Sequence, residues 1–282
     1  ERVACRLGLI GIGGVRDKFR VPLHQHQLPA EASEFDQLRF TGLRAIESNV
    51  IRAECTGQCA DQQHRGVQRV HANHDFRGTR IDIAVLNAGL MPLSARKSPQ
   101  GFELMFCVHF LANRLLLERW LNDGVIRTAQ KGQAPARVVF VASEAHQSSD
   151  PIDFSRFGAF TDYGMKDGMK HYGMSKLHLC TFATELSRRV NPGKQVNVAI
   201  HALCPGPIAS NIARESPAFI KPILWPIMKL LFRSPEKAAE PVVYLACAND
   251  MGQRSGVYLH MMREKSMSSD ARDAGNGQQL WE

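Results

Sequence analysis

The feature that most constrains the fold is an alternation of apolar strands and helical segments from residue 81 onward. Three short apolar runs rich in β-branched residues, each ending at a turn signal, are 81–89, 136–143 and 195–207. Three segments with helical spacing of apolar residues are 101–121, 171–190 and 237–247. Strands that are apolar throughout are typical of a parallel sheet covered on both faces. The sequence therefore predicts an α/β fold, a Rossmann-like doubly wound parallel sheet in one domain. In the last helix, Pro241 is expected to lie in the first turn or to kink it.

Composition is that of an ordinary globular protein. The 282 residues are 44% hydrophobic and 22% charged, and the formal net charge is +8. The lysines and arginines are scattered and no nucleic-acid-binding motif is visible, so we expect no nucleic-acid partner. A solvated positive surface that helps to attract a phosphorylated cofactor is the preferred interpretation.

The cysteines do not predict a disulfide framework or a metal site. There are seven of them, and several lie in apolar stretches, which is typical of buried thiols. Cys55 and Cys59 precede His64, but no second cysteine pair follows, so we expect no metal. No uninterrupted apolar run of membrane-spanning length occurs, and we expect a cytoplasmic protein. The chain begins with Glu1 rather than methionine, which leaves a removed leader or anchor open.

Polar and turn-forming residues stand at the predicted strand ends. Ligands of doubly wound sheets bind beyond the carboxyl ends of the strands, and here these ends are Asn87, Ser143 and 204–206. Tyr172 and Lys176, in "HYGMSK", are four residues apart on one helix face. Because that helix follows the Ser143 strand, the two side chains are expected to converge on the same crevice.

The first eighty residues give a weaker signal. "CRLGLIGIGG" places glycines in a G-x-x-G-x-G pattern, which departs from the usual dinucleotide-binding pattern G-x-G-x-x-G. Residues 15–75 show little periodicity of either kind. Either residues 1–78 have diverged sharply, or the translated sequence is locally out of frame.

Four motifs in order, "NAG", "VAS", "YGMSK" and "CPG", resemble those of the short-chain dehydrogenase/reductase family. The similarity covers residues 79–282 and is greatest to the retinol-dehydrogenase and WW-domain-oxidoreductase branch. The resemblance implies an NAD(P)-dependent oxidoreductase acting on an alcohol/carbonyl pair, with NADP(H) preferred over NAD(H). The alternative is a catalytically impaired member that serves as a cofactor-binding or protein-interaction scaffold.

The resemblance also implies roles for individual residues. Tyr172 would be the acid/base, and Lys176 would lower the phenol pKa toward the working range and hold the nicotinamide ribose. Ser143 would hydrogen-bond the substrate oxygen. The remaining residues expected to contact the cofactor are Gly8, Gly11, Gly13, Asp61, Asn87, Ala88, Gly89, Pro205, Gly206 and Ile208.

One position departs from the family pattern within the well-matched region. His109 stands where the family usually has an asparagine that helps to hold a water in the proton relay, and Asn113 lies one turn away. A relay role for His109 and a buried, hydrogen-bonded histidine both remain open.

Residues 207–240 are expected to form a substrate lid. Within "PAFIKPILWPIMKLLFRSPEKAAE", apolar residues dominate, and Pro222 and Pro226 argue against one continuous helix. An amphipathic lid over an apolar pocket would favour a lipophilic alcohol or carbonyl substrate, and residues 217–233 could contact a membrane surface. A pair of core helices is the alternative. A homo-oligomer is left open.

Overall fold

The computed structural model describes residues 7–10, 80–130, 132–207 and 233–282. Within these residues a six-stranded sheet runs in the order β1 to β6. The strands are β1 (Leu7–Ile10), β2 (Ile83–Leu86), β3 (Ala136–Val141), β4 (Val198–Cys204), β5 (Val257–His260) and β6 (Arg263–Glu264). The first five pair in parallel, and β6 returns antiparallel to β5. The predicted doubly wound sheet is confirmed.

Helices connect and follow these strands. They are α1 (Leu104–Phe106), continued by a π-helical stretch (Cys107–Leu111) into α2 (Ala112–Asn122), then α3 (Gly168–Val190), α4 (Pro235–Cys247), α5 (Ser269–Arg272) and α6 (Ala274–Trp281). Short 3-10 turns occupy Glu144–Ser148, Phe154–Arg156 and Asp250–Gln253. None of the helices in the described ranges is long and apolar enough to cross a bilayer.

The two faces of the sheet bury alternate residues of the same strands. Ala84, Leu86 and Phe140 belong to one apolar cluster, together with residues of α2 and α3. Ile83 and Val139 point the other way, into a second cluster with residues of α4. This alternation follows from the two-residue repeat of a strand and requires helices on both faces.

Two helices differ from the sequence expectations, one in its first residue and one in the position of its prolines. The helix predicted over 171–190 begins three residues earlier, at Gly168. Pro241 lies in the interior of α4, whereas Pro235 occupies the first turn behind the Ser234 cap. Of the two alternatives for Pro241, the first-turn placement was therefore wrong, and the kink stays a prediction. A proline at the first turn costs little because the N–H it lacks would have no helical partner there.

The predicted lid falls mostly outside the described residues, which omit 208–232. Residues 11–79 also lie outside the described ranges, so the division into a divergent half, 1–78, and a catalytic half, 79–282, stays a prediction.

Candidate active site

The carboxyl edge of the sheet brings the predicted strand-end residues together. Asn87 follows β2, Ser143 follows β3, and Pro205 and Gly206 follow β4. Because these three strands are neighbours and parallel, their ends share one edge. This edge is the candidate site.

Helix α3 carries Tyr172 against the Ser143 end of β3. Gly173 allows this approach, because a Cβ there would lie 2.9 Å from the Ala145 carbonyl oxygen. Ala145 belongs to the 3-10 turn that Ser143 caps, with the Ser143 Oγ accepting from the Ala145 N–H at 3.3 Å. The Ser143 side chain lies close enough to the Tyr172 phenol to lower its pKa. The two predicted catalytic side chains are therefore neighbours at this edge.

Lys176 lies one turn along α3, below the tyrosine ring. Its ammonium is 5.7 Å from the Tyr172 ring centroid and donates to the Val141 carbonyl oxygen at 3.0 Å. The side chain is 3% exposed, and this desolvation lowers the lysine pKa to about 8. An ammonium carries three donors, so hydrogen-bonding capacity remains for a ligand hydroxyl.

The pKa of the Tyr172 phenol is raised, not lowered. Burial raises it to about 12, and the neighbouring Ser143 side chain opposes this rise without overcoming it. The expectation that Lys176 brings the phenol pKa toward neutrality was therefore wrong for the chain by itself. The physical reason is that desolvation of the phenolate outweighs the stabilisation that its neighbours supply. At neutral pH the phenol holds its proton.

His109 is fully buried and hydrogen-bonded at both ring nitrogens. Its Nε2 accepts from the Leu90 N–H at 3.0 Å, and its Nδ1 lies 2.8 Å from the Ser175 Oγ. The Ser175 hydroxyl donates to the Tyr172 carbonyl oxygen at 2.8 Å, which assigns the proton between His109 and Ser175 to Nδ1. Burial, and next the Lys176 charge, hold the pKa of His109 well below its usual value. These contacts agree with the alternative in which His109 is a buried, hydrogen-bonded histidine. Its role in a proton relay stays a prediction.

His109 lies in the π-helical stretch, whose widened turn is a local departure from α-helical bonding. Asn113 supports it from α2, since its Nδ2 donates to the His109 carbonyl oxygen at 2.8 Å. The Asn113 amide therefore stabilises the backbone of the preceding helical turn. Sequence reasoning missed Ser175, although its position three residues after Tyr172 places it one helical turn away.

The space beside Lys176 fits a cofactor that packs closely against backbone. Gly89 is exposed, and a Cβ at this position would lie 3.5 Å from the His109 Nε2 and 3.7 Å from the Lys176 Nζ. A side chain there would occupy the approach to the ammonium. Gly206 has φ +81°, and a Cβ there would lie 3.2 Å from the Met261 Cγ. The residues present therefore suit a nicotinamide cofactor.

Several predicted cofactor contacts cannot be placed at this edge. Gly8 lies within β1, where its Cα pairs with Ala84, rather than in a turn. Gly11, Gly13, Asp61 and Ile208 lie outside the described residues. Their roles stay predictions.

Comparison with known proteins finds relatives that match most of this chain. Human retinol dehydrogenase 13 is 31% identical over 246 residues, which are 82% of this chain and 69% of that protein. Mouse retinol dehydrogenase 14 is 30% identical over 209 residues, 72% of this chain and 58% of that protein. The WW domain-containing oxidoreductase of Pongo abelii is 28% identical over 225 residues, 77% of this chain and 51% of that protein. The chain thus spans between half and about two thirds of these relatives.

A solved structure has a similar fold. A crystal structure of an uncharacterized protein from Mycobacterium paratuberculosis has a TM-score of 0.50 at 21% identity, covering 72% of this chain and 65% of that one. No family model matches the sequence.

Proposed function

This chain belongs to the short-chain dehydrogenase/reductase family of NAD(P)-dependent oxidoreductases, and from that premise we propose that it interconverts an alcohol and a carbonyl compound. The observation that carries the proposal is the close approach of α3 to the turn after Ser143, which brings the Tyr172 phenol beside the Ser143 side chain and the Lys176 ammonium 5.7 Å from the ring centroid. These groups lie at the sheet edge where the family's chemistry is expected.

The protein's part in the reaction is to hold and move one proton. Ser143 and Tyr172 together can hydrogen-bond a carbonyl oxygen, so that the oxygen lies within reach of the phenol proton. Tyr172 gives that proton to the oxygen as negative charge develops on it. The high pKa of the phenol keeps the proton in place at neutral pH, which favours the reductive direction. The Lys176 ammonium then stabilises the phenolate that remains.

The nicotinamide, when bound, supplies or accepts the hydride. Asn87, Ala88 and Gly89 would hold its adenosine half, and Lys176 would hold the ribose. Pro205 and Gly206 would line the nicotinamide side. We propose NADP(H) rather than NAD(H), because the family branch favours it and the net charge of +8 suits the additional phosphate.

Replacement of Tyr172 by phenylalanine tests the proton role. Tyr172→Phe keeps the ring and removes the transferable proton, so we expect kcat to fall by about three orders of magnitude or more while cofactor affinity stays within about twofold. Turnover of the purified variant and NADPH fluorescence titration measure both. A variant that keeps most of its activity would show that the assignment is wrong.

The same titration separates the enzyme from the scaffold alternative. NADPH and NADH are compared at one ionic strength, and tighter NADPH binding is expected. Equal or tighter NADH binding contradicts the NADP(H) preference. Absence of binding by either nucleotide at millimolar concentration would favour a protein-interaction scaffold.

The substrate is proposed to be lipophilic, such as a long-chain or cyclic carbonyl compound, on the strength of the apolar segment 217–232. We expect kcat/KM to rise along a series of straight-chain aldehydes by about threefold to fourfold per methylene, until the pocket is filled. Trp225→Ala should flatten this rise. A flat series for the wild type, or a variant with an unchanged preference, would contradict a substrate-lining lid.

A further inference from the structure

Three neighbouring strands each present one metal-ligand side chain at the carboxyl edge of the sheet. They are Glu144 just beyond β3, Cys204 at the end of β4 and His260 at the end of β5. Cys204 and His260 are paired in register, and one ligand atom from each of the three residues lies within 4.8 Å of the others. The short distances follow from the spacing of adjacent parallel strands.

We propose that Glu144, Cys204 and His260 form a reversible binding site for a divalent cation of borderline softness, with Zn²⁺ as the best match. One sulfur, one imidazole nitrogen and one carboxylate oxygen are typical zinc ligands, whereas Mg²⁺ and Ca²⁺ prefer oxygen alone. Three protein ligands leave a fourth, open position. Tetrahedral zinc places its ligand atoms roughly 3.3 to 3.8 Å apart, so closure needs a movement of about 1 Å.

The surroundings of each ligand suit this role. The His260 Nδ1 and the Glu144 Oε2 already lie 2.7 Å apart, and the cation would take the place of this hydrogen bond. The Tyr258 hydroxyl donates to the same carboxylate at 3.4 Å, and Lys265 pairs with its other oxygen. Partners of this kind orient a ligating carboxylate.

The Cys204 thiol is protonated before a cation binds, because burial disfavours its thiolate. Burial raises the pKa of its thiol, and the nearby backbone of Gly206 and Glu144 opposes that rise without overcoming it. On binding, the thiol gives its proton to solvent and a sulfur–metal bond forms. Lys176 and Lys265 both face the site, and their charge should keep the affinity moderate and the binding reversible.

Occupation of the site should inhibit the reaction, a consequence that rests on the proposed function. Glu144 is the immediate neighbour of Ser143, and Cys204 directly precedes Pro205 and Gly206. Movement of these ligands toward a cation therefore displaces the groups assigned to substrate and cofactor. The added positive charge also disfavours the protonated form of Lys176.

The test uses Co²⁺ as a spectroscopic probe with the full chain. Because Cys55 and Cys59 could also bind metal, the measurement is made in a Cys55→Ser/Cys59→Ser background. We expect one Co²⁺ per chain with a thiolate-to-cobalt charge-transfer band, displaced by Zn²⁺. Cys204→Ser should remove the band, and His260→Ala should weaken Co²⁺ binding by about 100-fold or more. Cys247→Ser is the matched cysteine control and should leave both unchanged.

Activity is measured separately on the same proteins. Zn²⁺ should lower turnover of the Cys55→Ser/Cys59→Ser protein, and a chelator should restore it. The same protein with His260→Ala should remain active with added Zn²⁺. If the thiolate-to-cobalt band is absent from the background variant, or survives Cys204→Ser, the proposed metal site is wrong. Normal Zn²⁺ binding without inhibition overturns the regulatory role. If the Cys55→Ser/Cys59→Ser protein shows the band but has no activity even without Zn²⁺, the proposed function alone is contradicted.

Discussion

At the scale of single residues, the half-buried Tyr172 phenol and the buried Lys176 ammonium determine the electrostatics of the candidate site. Burial moves the pKa of Tyr172 up to about 12 and the pKa of Lys176 down to about 8. Through neutral pH the pair is therefore a neutral phenol beside an ammonium. This is the pairing required to donate a proton and then to stabilise the phenolate left behind.

The lysine pKa predicts the pH profile of carbonyl reduction. Lys176 is protonated below about pH 8 and neutral above it, so kcat/KM should be level below this pH and fall about tenfold per unit above it. Lys176→Arg keeps a positive charge at all these pH values and should lose the inflection, at a lower rate. An unchanged inflection in the arginine variant would assign it to another group.

At the scale of elements, the site depends on how closely α3 packs against the turn after β3. The contact is made at Gly173, directly beside Tyr172, and the facing atom is the Ala145 backbone oxygen. A backbone oxygen cannot rotate away as a side chain can. The distance between the Tyr172 and Ser143 oxygens is therefore set by this helix contact.

An alanine at position 173 tests this dependence. Gly173→Ala introduces a Cβ 2.9 Å from the Ala145 oxygen and should force the helix outward. We expect kcat to fall at least tenfold and the free energy of unfolding to fall by about 1 to 3 kcal/mol. Gly193→Ala is the control, because a Cβ there meets nothing within 4 Å among the described residues. Wild-type turnover in Gly173→Ala would contradict the prediction.

At the scale of the whole molecule, stability depends on histidines buried in the neutral form. His178, on α3, lies edge-on to the rings of Phe106 and Phe157 at centroid distances of 5.4 and 5.1 Å. Within the described ranges its Nδ1 has no hydrogen-bond partner. Burial lowers the pKa of His178 to about 4. His201 has a similarly lowered pKa, chiefly because of burial.

A lowered histidine pKa predicts loss of stability in acid. Between pH 6.5 and about 4 the unfolded chain binds a proton at His178 that the folded chain does not. Stability therefore falls as pH drops through this window, by roughly 2 kcal/mol from pH 7.5 to pH 5 for this residue. His178→Leu should lose that share of the pH dependence in urea unfolding at the two pH values. The same pH dependence in wild type and variant would refute it.

The sequence alone determined the sheet, the edge at which the candidate site lies and the residues that meet there. Apolar runs and helical spacing are local patterns, and parallel strands necessarily place their carboxyl ends on one edge. For this reason Ser143, Tyr172 and Lys176 could be assigned to one crevice without coordinates. The family membership inferred from four short motifs is confirmed by the relatives that match.

Only the tertiary structure decided the electrostatics and the long-range partners. The direction of the Tyr172 pKa shift depends on how much of the phenol is desolvated, which spacing along the chain does not specify. The bonds of His109 reach Leu90 and Ser175, on segments far apart in sequence. The ligand set of Glu144, Cys204 and His260 exists because strand register aligns three distant residues. Register and burial are properties of packing, and local sequence patterns do not encode them.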